Sequence, residues 1–164
     1  MKRVIIVSHA KSVPYGYEDD FNRNLTERGE KDAAKVSSEL KQRGIKADIM
    51  VSSPAKRALK TAHIFAENLG FEINNIFYER IMYNGMTVSQ FLELVYESHE
   101  SADTVFFFGH NPDFHFFVVK LLHDFGIEMP TCSTVGIDFD VEQWKDVEVR
   151  KGKKAFHLTP QMFK

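Results

Sequence analysis

The sequence predicts an α/β fold: a three-layer α/β/α sandwich around a mostly parallel sheet with an antiparallel C-terminal edge. Two short apolar runs without polar alternation, at residues 4–7 and 105–108, are typical of strands buried on both faces of a parallel sheet. Strand-like and helix-like segments alternate four times, which indicates parallel strands covered by helices on both faces. Near the C-terminus, strand-like runs follow each other without a helix between them, which predicts the antiparallel edge.

The first elements are bounded by turn and capping residues. The strand at 4–7 leads into a polar, turn-rich stretch over 11–24, which we interpret as a long loop. Thr26 suits the N-cap of a helix over 27–43, and Gly44 suits its end.

The next elements repeat the same order. A strand at 49–51 is followed by a helix with Pro54 in its first turn, which runs to Leu69 and is closed by Gly70. A further short strand is predicted at 76–78.

The second half begins with a helix opened by Thr87 and running to Glu97, with apolar residues at helical spacing. The strand at 105–108 comes next, followed by a helix from about Pro112 to Phe125. The predicted antiparallel pair consists of strands at 135–139 and 147–149, with a candidate extension at 155–158.

Composition narrows the class of protein. A chain of 164 residues is most simply one domain, spanning 1–164. The formal charge of −2 lacks the basic surplus of a nucleic-acid-binding protein. The single cysteine, Cys132, permits no intrachain disulfide, and no run is long enough to span a bilayer. We therefore expect a cytoplasmic monomer without a membrane or nucleic-acid partner.

Two histidines mark the candidate site. His9 and His110 follow the strands at 4–7 and 105–108, and ligands of open α/β sheets bind beyond the carboxyl ends of strands. Arg57 follows the strand at 49–51, in the first turn of the predicted helix, where free backbone amides also favour an anion. Neither histidine has a nearby third metal ligand, so this set suits phosphate better than a metal ion.

Four segments together resemble the histidine phosphatase superfamily, whose fold is phosphoglycerate mutase-like. They are, in the family's order, VSHAKS at 7–12, DFNRNLTERG at 20–29, SSPAKRALKTA at 52–62 and GHNP at 109–112. The length and order of these segments look most like the small SixA-like phosphohistidine phosphatases.

The resemblance implies roles for individual residues. His9 would be the nucleophile that carries a covalent phosphohistidine, and its other ring nitrogen would donate a proton to a carbonyl. Arg57, Arg23 and His110 would line the phosphate pocket and stabilise the moving phosphoryl group, and Asn111 would join them. No metal or organic cofactor is implied. Arg23 has an alternative role, which is simply to pair with Asp19 or Asp20.

The chain departs from the family pattern at Ser8. The family has an arginine immediately before the nucleophilic histidine, whereas a serine hydroxyl offers a phosphate one hydrogen bond and no charge. Removing one donor from such an anion site costs a factor of about 10²–10³ in rate. Glu79 is the candidate general acid, with an ion pair to Arg80 as the alternative.

These observations leave two classes of function open. The first is a phosphatase acting on phosphohistidine in a partner protein, or on a small phosphoester. The second is a weak or inactive module that binds phosphate or a phosphoprotein, with Ser8 as the sign of lost chemistry.

Overall fold

A six-stranded sheet forms the centre of the computed structural model, which describes residues 1–14, 16, 19–123 and 128–163. The strands are β1 (Lys2–Ser8), β2 (Ile49–Ser52), β3 (Phe77–Tyr78), β4 (Thr104–Gly109), β5 (Thr134–Phe139) and β6 (Lys153–Leu158). The helices are α1 (Glu27–Gln42), α2 (Lys56–Leu69), α3 (Ile81–Asn84), α4 (Val88–Tyr96) and α5 (Asp113–Leu121). Across the sheet the strands run in the order β3-β2-β4-β1-β5-β6.

The predicted fold class is confirmed. Strands β1 to β4 pair in parallel, β5 runs antiparallel to β1, and β6 runs antiparallel to β5. Apolar residues of α1 and α2 pack on one face of the sheet, and those of α4 and α5 pack on the other. Burial of the central strands on both faces explains why their sequences lack polar alternation.

The register of the two central strands positions the histidines. Ser8 at the end of β1 pairs with Gly109 at the end of β4. The next backbone contact continues the pairing, since the His9 N–H donates to the Gly109 carbonyl at 3.0 Å. His9 and His110 therefore leave the same edge of the sheet side by side.

The start of α1 is anchored to the chain that leaves β1. Thr26 caps the helix as predicted, because its hydroxyl accepts a hydrogen bond from the Gly29 N–H at 3.0 Å. The Thr26 N–H in turn donates to the Lys11 carbonyl at 2.9 Å. A side chain at Gly29 would collide with the Lys11 backbone, so only glycine permits this close approach.

The C-terminal pair differs in detail from the prediction. The strand predicted at 147–149 is absent: the chain forms a 3₁₀ turn over Trp144–Asp146, buries Val147 against the core and turns at Arg150, whose φ is 63°. The partner of β5 is instead β6, which contains the candidate extension at 155–158. Burial of one apolar side chain, rather than strand pairing, accounts for the apolar pattern around Val147.

Two helix boundaries are also corrected. Helix α2 begins at Lys56, so Pro54 lies just before its N-cap instead of in its first turn. Helix α5 ends at Leu121 and not at Phe125, because Leu122 adopts an extended conformation and bridges to Gly152. Phe125 itself lies outside the described residues. In the part of the chain that the structure describes, no helix has the length and apolar character needed to cross a membrane.

Candidate active site

His9 and His110 face each other at the carboxyl edge of the sheet. Their ring centroids are 5.4 Å apart. Both side chains are largely enclosed, and burial lowers the pKa of each imidazole, to about 4 for His9 and about 3 for His110. The neighbouring positive charge of Arg57 acts in the same direction on both pKa values. Both rings are therefore neutral at pH 7.

A backbone carbonyl fixes the tautomer of His9. The Nδ1 atom lies 2.7 Å from the Ala10 carbonyl oxygen. Because a carbonyl oxygen can only accept, Nδ1 carries the proton, and Nε2 carries a lone pair. A neutral imidazole with this lone pair is competent as a nucleophile. The structure thus supplies the carbonyl that the nucleophile requires.

His110 contacts a hydroxyl group instead. Its Nε2 atom lies 2.8 Å from the Ser53 Oγ, which also accepts a hydrogen bond from the Ala55 N–H at 3.2 Å. A hydroxyl can either donate or accept, so this contact permits both tautomers of His110. The Nδ1 atom of His110 is buried without a partner.

Arg57 lies in the first turn of α2 and is only 6% exposed. Its Nη1 donates to the Asp20 carbonyl oxygen at 2.6 Å, and its Nη2 donates to the Asp20 Oδ2 at 3.1 Å. The Nε atom is buried and has no partner. Buried polar atoms are rarely left unpaired, and the unpaired atoms of Arg57 and His110 are typical of a site kept for a polar ligand.

Asp20 is a member of this cluster that the sequence analysis assigned no function beyond pairing. Its Oδ1 accepts from Arg23 Nε at 3.1 Å and lies 2.9 Å from Arg23 Nη2, while Oδ2 accepts from the Tyr83 hydroxyl at 2.8 Å. Burial alone would raise the pKa of Asp20, but the hydrogen bonds from Tyr83, Arg57 and Arg23 outweigh it and lower the pKa to about 2. The signal was present in the sequence, because Asp20 begins one of the four motif segments.

Arg23 forms the ion pair that was predicted as its alternative role. It pairs with Asp20, as the alternative proposed, and its Nη1 also donates to the Val13 carbonyl at 3.0 Å. Through Asp20 it is connected to Arg57, so both guanidinium groups belong to one network. Its contact with phosphate remains a prediction.

Aromatic rings border the imidazoles. Tyr83, in α3, meets His110 edge to face at 5.9 Å between centroids and meets Phe21 in the same manner at 5.0 Å. The Arg80 guanidinium lies 5.3 Å from the centre of the Phe21 ring. Arg80 therefore packs on this aromatic pair, which contradicts the predicted ion pair with Glu79.

Glu79 lies elsewhere. Its side chain lines a groove beside β3 together with Leu94, Glu97 and His99. Burial raises the pKa of Glu79, and the negative charge of Glu97 raises it further. Among the described residues its carboxyl group makes no hydrogen bond or ion pair. The Glu79 N–H donates to the Ser52 carbonyl at 3.0 Å, and the role of Glu79 as general acid stays a prediction.

The Ser8 and Asn111 side chains are hydrogen-bonded to backbone groups around the site. The Ser8 hydroxyl donates to the Pro130 carbonyl at 3.0 Å and accepts from the Ser133 N–H at 3.1 Å. Asn111 donates to the Met129 carbonyl at 2.8 Å and accepts from the His115 N–H at 3.1 Å. The single Ser8 proton is committed to Pro130, so its predicted contact with phosphate would require a rotation, whereas the Asn111 amide keeps a second N–H and its predicted contact stays a prediction.

The assembled groups suit an anion. Arg57 and Arg23 bring two positive charges and Asp20 brings one negative charge, beside two neutral imidazoles. Within the described ranges no three histidine, cysteine, aspartate or glutamate side chains are grouped as metal ligands would be. The chemistry available is nucleophilic attack by His9 on a group whose negative charge the guanidinium groups stabilise.

Comparisons with known proteins agree with this geometry. Residues 4–82 match the family model described as Histidine phosphatase superfamily (branch 1). The serine/threonine-protein phosphatase Pgam5, mitochondrial, of Drosophila sechellia is 37% identical over 71 residues, which are 43% of this chain but only 24% of that protein. The chain thus matches about a quarter of the length of that relative.

Solved structures extend the similarity to the whole chain. The protein histidine phosphatase SixA complexed with tungstate superposes with a TM-score of 0.84 over 99% of both chains, at 18% identity. SixA from Agrobacterium tumefaciens superposes with a TM-score of 0.80 over 97% of this chain and 98% of its own, at 23% identity. The fold is therefore shared along essentially the full length.

Proposed function

We propose that this chain, a member of the histidine phosphatase superfamily, removes phosphate from phosphohistidine in a partner protein through a covalent intermediate on His9. The observation that carries the proposal is the His9 ring. Its Nδ1 proton is held by the Ala10 carbonyl, so Nε2 carries a lone pair on a ring whose centroid is 5.4 Å from that of His110. A nucleophile and anion-binding groups in one enclosure are the parts that phosphoryl transfer requires.

The reaction proceeds in two steps. In the first, a bond forms between His9 Nε2 and phosphorus while the bond from phosphorus to the substrate nitrogen breaks, and the substrate ring, protonated on its other nitrogen, leaves as neutral imidazole with the electron pair. In the second, water attacks phosphorus, the bond from phosphorus to His9 Nε2 breaks and returns the lone pair to His9, and inorganic phosphate departs while the proton of water passes to solvent. Arg57 and Arg23 are positioned to stabilise the negative charge of the phosphoryl oxygens in both steps.

Among the described residues no carboxyl group is hydrogen-bonded to the imidazole of His9 or of His110, which favours phosphohistidine over an ordinary phosphoester. An alkoxide leaving group needs a proton from a nearby acid. Of the two candidate carboxyl groups, Glu79 lies in the groove beside β3, and Asp20, with a pKa of about 2, is ionised at neutral pH. An imidazole leaving group needs less help, so a nitrogen–phosphorus bond suits this site better. A small phosphoester with a good leaving group is the alternative substrate.

A protein substrate also fits the surroundings. Between β3 and β4 the chain forms only the short helices α3 and α4, of four and nine residues. We propose a cytoplasmic monomer that meets the phosphorylated partner at this edge of the sheet.

One observation favours the second candidate function, a phosphate-binding module with little turnover. The Ser8 hydroxyl is bound to Pro130 and Ser133, so the position where the family has an arginine contributes no charge and no free donor. Binding would then rest on Arg57, Arg23 and His110.

Three proteins test the proposal: the wild type, His9→Ala and Ser8→Arg. Each is assayed with a phosphohistidine-bearing protein, with phosphoramidate and with an aryl phosphate. We expect the wild type to hydrolyse the nitrogen–phosphorus substrates and His9→Ala to lose this activity. Intact-mass measurement of acid-free samples should detect a phosphoryl group on the wild type that is absent in His9→Ala.

The outcomes separate the two functions. Activity confined to Ser8→Arg would overturn the enzyme proposal and favour the binding module. No activity in either wild type or Ser8→Arg would overturn the phosphatase proposal for these substrates.

A further inference from the structure

The Asp20 side chain is a junction in the candidate site. Its two carboxylate oxygens accept hydrogen bonds from Arg23, Arg57 and Tyr83, and its backbone carbonyl accepts a second bond from Arg57. The partners come from distant parts of the chain, since Arg57 is 37 positions and Tyr83 63 positions from Asp20. One carboxylate thus holds three donors from three segments.

These contacts fix the orientation of Arg57. Both terminal nitrogens of its guanidinium group bond to Asp20, while Nε is left without a partner. A long arginine side chain has many rotamers, and ordering it before the substrate binds removes that step from the reaction. Asp20 therefore determines which edge of the guanidinium group stays available.

The same carboxylate opposes the binding of an anion. At neutral pH Asp20 is ionised, and a phosphate close to Arg57 and Arg23 would be repelled by it. With Ser8 in place of an arginine, Asp20 offsets one of only two guanidinium charges in the described cluster. Asp20 therefore weakens the binding of phosphate by its charge, while it favours catalysis by ordering the side chain of Arg57.

We propose that Asp20 is a positioning residue that orients Arg57, Arg23 and Tyr83 for phosphoryl transfer while weakening the binding of free phosphate. This inference rests on the proposed function for its catalytic part only. Its distinctive consequence is a split between binding and turnover, because catalysis depends on preorganised donors whereas affinity for phosphate depends on net charge.

The test replaces Asp20 with asparagine, which keeps the shape and removes the charge. The neighbouring Asp19→Asn is a matched control, since Asp19 is exposed and its carboxylate hydrogen-bonds, among the residues that the structure describes, to Asn22 alone. Affinity for inorganic phosphate is measured by calorimetry, turnover is measured with phosphoramidate, and thermal unfolding confirms that both variants fold.

For Asp20→Asn we expect phosphate to bind several-fold more tightly and kcat to fall by a factor of about 10–100. Asp19→Asn should change neither quantity. Loss of both binding and turnover in a folded Asp20→Asn protein would mean a merely structural role and would overturn the inference. Unchanged phosphate affinity or unchanged kcat would overturn it as well.

The two proposals can fail separately. If the wild-type protein turns over no substrate, the proposed function fails, and the phosphate measurement alone then decides on Asp20. Tighter binding in Asp20→Asn would still uphold the opposing charge, and unchanged binding would reject it.

Discussion

His9 and His110 are placed alike but are held differently. Each follows a buried parallel strand, the strands are paired in register, and burial lowers the pKa of both rings. His9, however, is bound through Nδ1 to a carbonyl oxygen, whereas His110 is bound through Nε2 to the Ser53 hydroxyl. A carbonyl imposes one tautomer, and a hydroxyl accommodates either.

This difference assigns distinct chemistry to two similar residues. In the free protein His9 holds its lone pair on Nε2, which is what a nucleophile needs before it attacks. His110 can respond to a bound anion by changing its tautomer or gaining a proton, which suits a group that stabilises charge. The two histidines have similar positions in the fold, and their roles differ because one ring is hydrogen-bonded to a carbonyl and the other to a hydroxyl.

Substitution of either histidine is expected to cause the largest loss of turnover. In His9→Ala we expect turnover and covalent labelling to disappear, because the attacking nitrogen is gone. In His110→Ala we expect the label on His9 to persist while turnover falls by a factor of about 10²–10³, as for loss of one charge-stabilising donor. Rapid quench with intact-mass analysis measures both. Labelled His9→Ala protein, or a label-free but active His110→Ala protein, would reverse the assignment.

Lowering the pH is expected to destabilise the folded protein through His9 and His110. Because the folded-state pKa values of about 4 and 3 lie below the ordinary 6.5, the unfolded chain binds protons first as the pH falls. The contribution to stability is fully present above about pH 6.5 and declines towards pH 4.

Urea unfolding at pH 7 and pH 5 measures this decline. The His110→Gln variant should lose about 1–2 kcal/mol less than the wild type between the two values. Identical losses in both proteins would mean that His110 does not titrate as its burial implies. Proton NMR of the imidazoles should also give a higher pKa for His110 once inorganic phosphate is bound, because the anion stabilises the imidazolium.

Ser53→Ala is expected to cause the smallest change in activity among these substitutions. It removes the hydroxyl that holds His110 Nε2, a hydrogen bond whose net value is about 1 kcal/mol. We therefore expect kcat/KM to fall by about fivefold, with the NMR titration of His110 altered and that of His9 unchanged. Ser52→Ala is the matched control, since the buried Ser52 hydroxyl donates to the Ser53 carbonyl and has no other hydrogen-bond partner in the described part of the chain. Equal effects of the two variants would show that Ser53 acts through general packing.

The proximity of His9 and His110 could be predicted from the sequence. Continuous apolar runs identify buried parallel strands, and the ends of neighbouring strands meet at one edge. Arg57 was found for a related reason, since it opens the helix that follows β2. Local signals were sufficient for these three residues because regular elements determine their positions.

Loop-dependent features could not be predicted in the same way. Pairing of Asp20 with Arg23 is local, at a separation of three positions, but its contact with Arg57 depends on how the segment between β1 and α1 crosses the site. Glu79 follows β3 as expected, yet its side chain lies in the groove near Glu97. The prediction of a strand at 147–149 was wrong because the burial of Val147 produces a strand-like sequence pattern without strand pairing.

The segment before β5 is hydrogen-bonded to the end of β1, so the candidate site depends on residues that are synthesised much later than His9. The Ser8 N–H donates to the Ser133 carbonyl, and the Cys132 N–H donates to the His9 carbonyl, both at 3.0 Å. A ribosome makes His9 well before Ser133, and these backbone hydrogen bonds exist only after residue 133 has emerged and folded back. Contacts between such distant positions form late because a long loop must close first. A chain that ends before β5 therefore carries His9 without the backbone contacts that hold it, and the candidate site is complete only after β5 has docked.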